Sequence, residues 1–131
     1  MIDPAASVQI GIRTFNPDRH CFNIIDAPAV HSLGPAALAA RILEIVGGRE
    51  AYLSFDIDRL NPAFTPGTGT PVVGGLSKAQ ALAILRGLGA IDFVGMDLVE
   101  VAPAYEVGDI AALAAATLVF EYLTLLAGCR A

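Results

Sequence analysis

The sequence is poor in charge, in cysteine and in histidine, and each shortage closes off a class of protein. Charged residues make up 16% of the 131 positions, with eight Lys and Arg against thirteen Asp and Glu. A formal net charge of −5 leaves no basic footprint for a phosphate backbone, so nucleic acid is not an expected partner. The two cysteines, Cys21 and Cys129, are far apart and match no metal or redox spacing, which makes a reducing cytoplasm the expected compartment. The two histidines, His20 and His31, lack ligand spacing too and read as surface or turn residues in strand-flanking loops. No apolar run approaches the roughly 18 residues that crossing a membrane takes. The longest candidate, "IAALAAATLVFEYLTLLAG" (110–128), carries Glu121 and reads as a core helix. The opening "MIDPAASVQ" has neither the basic nor the apolar region of a signal peptide.

What is present is apolar. Hydrophobic residues reach 55%, in a chain long enough for one domain and too short for two. A small domain has proportionally more surface to cover with polar groups. So apolar a composition suggests that other protein covers some of that surface.

Four runs rich in Val, Ile and Phe read as strands: 8–14, 22–27, 51–58 and 92–100. Three helical stretches separate or follow them. Residues 34–48 have Pro35 in the first turn and Gly47 and Gly48 at the stop. Residues 77–89 open on Ser77 with Gln80 three positions on, the spacing of a capping box. The last helix runs from about Asp109 to Leu126. Because the strand runs are nearly continuous apolar blocks, burial on both faces is expected. The fold class is therefore α/β, three-layered, with a mainly parallel sheet and flanking helices.

The run 51–58 ends on Asp56 and Asp58 and leads into "RLNPAFTPGTGTPVVGG". Residues i and i+2 of a strand point to one side, so both carboxylates are expected to aim at one spot. In a parallel sheet that spot, at the carboxyl end of the strands, is where ligands sit. Two carboxylates in a dry crevice need a cation or a shared proton to coexist, and oxygen ligands suit Mg²⁺, Mn²⁺ or Ca²⁺. The plainer alternative is that one aspartate caps the following turn while the other is solvated. Pro62, Pro66 and Pro71 stiffen the loop, and Gly67, Gly69, Gly74 and Gly75 permit its turns.

"SFDIDRLNPAFTPGTGTPVVGGLS" (54–77) resembles the signature of the ureohydrolases, the arginase and agmatinase family. "DLVEVAPAYE" (97–106) is similar to that family's second downstream motif, and "VQIGIRTFNPD" (8–18) to the agmatinase branch. The resemblance implies hydrolysis of a guanidino substrate to urea and an amine at a pair of Mn²⁺ ions. By the same resemblance Asp56 matches a carboxylate bridging both metals, Asp58 a ligand of one, and Glu100 the carboxylate that grips the guanidinium. Thr70 matches a loop threonine near that glutamate.

The family pattern also includes a G-G-D-H and a D-A-H-x-D segment, and neither occurs in these residues. The chain is thus expected to be a single partial domain, the C-terminal half of the arginase-like fold, with little activity alone. The rival to a split or partial enzyme is a non-catalytic remnant that acts only in folding or oligomerisation. The resemblance further implies a strand between those matching 51–58 and 8–14. Two outcomes are then expected: those strands pair directly, or a second copy or a companion chain fills the gap.

Other residues have plain readings. Asp26 is expected to cap a turn, Asp97 to be buried and hydrogen-bonded, and Glu106 to be a solvated loop charge. Arg13 is expected in a structural ion pair. Asn61 keeps turn-forming chemistry where the family commonly has Asp. Cys21 stands where the backbone favours positive φ. Arg59 directly follows the aspartate pair.

Overall fold

The computed structural model describes residues 2–15 and 17–129; Asn16 and the Cys129 side chain lie outside that description. Strands β1 (Val8–Ile12) and β2 (Asn23–Asp26) lead into helix α1 (Ala27–Val46). Strand β3 (Glu50–Asp56), helix α2 (Lys78–Arg86), strand β4 (Asp92–Val99) and helix α3 (Ile110–Cys129) complete the chain. Local chemistry explains most of these limits. The Asp26 carboxylate accepts from the Ala29 amide at 3.0 Å, capping α1 as expected. At α2, Ser77 and Gln80 form the reciprocal capping box that their spacing suggests. Gly47 ends α1 at a φ of 62°.

One helix begins earlier than the sequence suggested. Residues 27–33 are helical, and Gly34, at φ 74° and ψ 167°, breaks α1 before Pro35 restarts it. His31 therefore sits on a helix rather than in a loop, with Nε2 3.0 Å from the Gly74 carbonyl. His20 lies in a turn beside Asp18, 3.2 Å from its carboxylate.

The sheet is parallel but divided. β1 runs parallel to β2, with Ile10 opposite Ile25, and β3 parallel to β4, with Leu53 opposite Met96 and Asp56 opposite Val99. Among the described residues no backbone pairing joins the two sheets. The α/β class with parallel strands and flanking helices holds, but the direct pairing of 51–58 with 8–14 does not form. Side chains stand where it would be. Gly11 makes a bulge in β1 at φ 69°, and a Cβ there would lie 2.7 Å from Arg59 Cδ. The stem of Arg59 thus packs directly on the β1 backbone.

The core joins α1 (Leu38, Ile42, Val46), α2 (Ile84, Leu85), α3 (Leu118, Tyr122) and Phe93 of β4 in one cluster. Ala51, Leu53 and Phe55 face it from β3, while Tyr52 (59% exposed) and Val94 (61%) face away. Within this chain β3 and β4 are therefore covered on one face only, contrary to the burial on both faces read from their apolar runs. Asp97, expected to be buried, is exposed on the open face, and its side chain makes none of the described hydrogen bonds.

Helix α3 buries Ala111, Ala114, Leu118 and Tyr122 and leaves Leu113, Phe120 and Leu123 exposed at helical spacing. By length and composition both α1 and α3 could cross a membrane, which corrects the reading that no run approaches that length. Each nevertheless packs on the rest of the chain. Glu121 of α3 accepts two hydrogen bonds from the Arg86 guanidinium of α2, at 2.8 and 2.7 Å.

Candidate functional site at the carboxyl ends of β3 and β4

Strand β3 stops at Asp56, and residues 57–59 form a single 3₁₀ turn. The Asp56 carboxylate makes that turn by accepting from the Asp58 amide at 3.0 Å. Asp58 is therefore on the turn and not on the strand, so strand periodicity is not what places it. The alternative that one aspartate caps the turn is correct for Asp56. Its companion clause fails, because Asp58 is not simply solvated: its side chain is 17% exposed and tied to Arg13 and Thr70.

Arg13, just past β1, donates from Nη2 to the Asp58 carbonyl at 2.5 Å and lies 3.4 Å from its carboxylate. The expected structural ion pair is present, and its partner is a candidate metal ligand. Thr70 Oγ1 donates to the other carboxylate oxygen of Asp58 at 3.2 Å. Burial is the main force raising the Asp56 carboxyl above its ordinary value. The Asp58 amide and Arg59 pull it down, and the Asp58 and Glu100 charges add to the rise.

Glu100 is the residue after β4, whose last residue Val99 is the register partner of Asp56. It is exposed, and its φ of 65° is a left-handed conformation that costs an L-residue free energy. The two parallel strands thus deliver Asp56 and Glu100 to one end of one sheet, close enough for the Glu100 charge to act on Asp56.

The proline–glycine loop is stitched down at base and tip. Leu76 donates to the Arg59 carbonyl at 3.0 Å, and Asn61 to that of Leu76 at 2.8 Å. A Cβ on Gly75 would lie 2.6 Å from the Arg59 carbonyl oxygen, so this return path admits only glycine. Farther out, the Ala102 amide donates to the Gly67 carbonyl at 2.8 Å, fastening the loop to the segment after Glu100. The Asn61 side chain accepts from the Ala63 amide at 3.1 Å, the turn chemistry expected of it. Cys21 has a φ of 64°, the positive value expected at that position.

Glu106 is more than a loop charge. Its carboxylate accepts from the amides of Ala111 and Ala112, at 3.1 and 2.8 Å, in the first turn of α3, and from Val107 at 2.9 Å. Desolvation pushes this carboxyl up, but the amides of Ala111, Val107 and Ala112, with Lys78, hold it below 4.5. A carboxyl lowered in the fold stabilises fully above its unfolded value and loses that contribution as pH falls through the folded one. Glu106→Gln should therefore lower the melting temperature at about pH 7, with the deficit shrinking as pH falls below 4.5. Circular dichroism melts across that range check this, and a deficit independent of pH would contradict it.

The donor set does not fit a binuclear metal centre. Asp56 and Asp58 lie close enough for their charges to interact, and Asp58 is already engaged by Arg13 and Thr70. Among the described residues no group of three His, Cys, Asp or Glu could hold an ion.

Comparison with known proteins follows this geometry closely. The arginase family model matches residues 1–124. The agmatinase of Proteus mirabilis is 55% identical over 125 residues, which is 95% of this chain and 41% of that protein. A crystal structure of a hypothetical agmatinase from Burkholderia thailandensis superposes with a TM-score of 0.94 at 60% identity, over 95% of this chain and 40% of that one. Proclavaminate amidino hydrolase from Streptomyces clavuligerus also gives 0.94, at 43% identity, over 98% and 44%. The chain thus spans about 40% of the length of the curated relatives it matches. With its aspartate turn, stitched loop and Glu100 on adjacent parallel strands, this chain belongs to the arginase family.

Proposed function

We infer that this chain carries the aspartate-loop and Glu100 portion of an agmatinase-like hydrolase, and that residues outside it complete the site. The reaction is hydrolysis of agmatine to putrescine and urea. The observation that carries this reading is the delivery of Asp56 and Glu100 to one end of one parallel pair, with Thr70 fixed on Asp58. A carboxylate on a left-handed residue, free of the described hydrogen bonds, is available to clamp a planar guanidinium through two N–H donors. The 55% identity to a protein named agmatinase supports the choice of agmatine over other guanidino compounds.

The Mn²⁺ pair that the resemblance implies requires donors from outside these 131 residues. Unpaired edges on β1 and β3 and the exposed apolar stripe of α3 suit contact with such residues. The proposed setting is the cytoplasm, with no role for membrane or nucleic acid. A second reading, the non-catalytic remnant, draws on the ion pair that already occupies Asp58.

Urea release from agmatine with excess Mn²⁺ tests the proposal. The chain alone should give background only. The chain mixed with the unmatched portion of the Proteus mirabilis agmatinase should release urea. Turnover by the chain alone would show its site to be complete, and silence from the mixture would favour the remnant.

A further inference from the structure

Two arginines act on the aspartate pair, Arg13 by direct contact and Arg59 through its charge. Arg13 follows β1, and its side chain is only 8% exposed. It spends its donors on the Gly11 carbonyl at 3.3 Å, the Asp58 carbonyl at 2.5 Å and the Asp58 carboxylate at 3.4 Å. Arg59 follows β3 and lays its stem against Gly11 of β1. Arg13 Nε and Arg59 Nη1 are buried, without hydrogen-bond partners among the described residues. The two guanidiniums meet at Gly11, where Arg13 Nη1 donates to the carbonyl at 3.3 Å and Arg59 Nη1 would lie 3.6 Å from a Cβ. Two like charges are tolerated here because the Asp56 and Asp58 carboxylates, with Glu100 acting on Asp56, offset them.

We propose that Arg13 and Arg59 stand in for divalent cations at the Asp56–Asp58 pair, clasping the two parallel strand pairs together and weakening metal binding to this chain. A dication reaching Asp58 must displace the Arg13 and Thr70 contacts and then sit beside two guanidinium charges. Arg59 is the residue that tunes this competition. It packs on Gly11 through its stem, so its charge can be removed without emptying the space. Arg13 is the clasp itself, because among the described residues it alone bonds across from β1 to the backbone of Asp58. This inference concerns the isolated chain and stands apart from the hydrolase reading.

Manganese titration by electron paramagnetic resonance tests it. Wild-type chain should bind Mn²⁺ only weakly, and its melting temperature should move by less than about 1 °C in about 5 mM Mn²⁺. Arg59→Met, which keeps the stem volume, should bind at least about tenfold tighter. Adding Asp58→Asn to that variant should remove the gain, and Arg59→Lys should bind as weakly as wild type. Micromolar binding by wild type, with a rise of several degrees in melting temperature, would overturn the proposal. So would an Arg59→Met chain that folds and binds no tighter. Micromolar binding by wild type would overturn the proposal even if the variants fail to fold.

Discussion

In the complemented enzyme, Glu100→Gln should lower kcat/KM for agmatine about 10²–10³-fold, the cost of removing one partner of a desolvated charge pair. Glutamine keeps the size and loses the charge, so the substrate guanidinium would be left without its counter-ion. Part of the loss should appear in KM, because the ground-state substrate carries the same cation. Glu50→Gln serves as the control, since Glu50 lies at the opposite end of β3 from Asp56. Steady-state kinetics that show Glu100→Gln and Glu50→Gln to be equally harmless would remove the guanidinium role. Loss in the Glu100 variant alone would support it.

Leu38→Ala should destabilise the chain by about 3–5 kcal/mol. Leu38 is fully buried on α1, the helix that packs on β1, β2 and α2. Truncation removes the transfer free energy of the lost methyl groups and leaves a cavity walled by several elements that cannot all collapse into it. A domain of this size commonly has about 5–15 kcal/mol in total, so the variant should be close to unfolding. Urea denaturation at constant protein concentration gives the difference, and a loss under about 1 kcal/mol would show that α1 is not central to the core.

Local chemistry is what the sequence displayed most clearly. Asp26, Ser77 with Gln80, and Gly47 mark helix limits because a cap and its target lie within a few residues of each other. The first turns of α1 are hidden although Asp26 and Pro28 flag them, because Gly34 and Pro35 look like a start of their own. Counting in twos puts Asp58 on the strand, whereas the Asp56 carboxylate pulls its amide into a 3₁₀ turn. The cap that Glu106 provides to α3 reaches across a left-handed Gly108 and Asp109, a path that no spacing rule describes.

What stayed hidden was long-range. Arg13 and Asp58 lie 45 residues apart in sequence, and nothing local to either says that they meet. The exposed faces of β3, β4 and α3 were hidden for a related reason. Apolar runs look the same whether their cover comes from the same chain or from another. The excess of hydrophobic residues was a legible sign that cover is missing, and Tyr52, Val94, Leu113, Phe120 and Leu123 show where.

The central claim is that these strands are part of a site completed by residues beyond these 131. Light scattering on the eluting peak of a sizing column tests it most directly, with this chain alone and mixed with the unmatched portion of the Proteus mirabilis agmatinase. The expected result is self-association of the chain alone, replaced by a stoichiometric complex in the mixture. A monodisperse monomer that ignores the added portion would contradict the account.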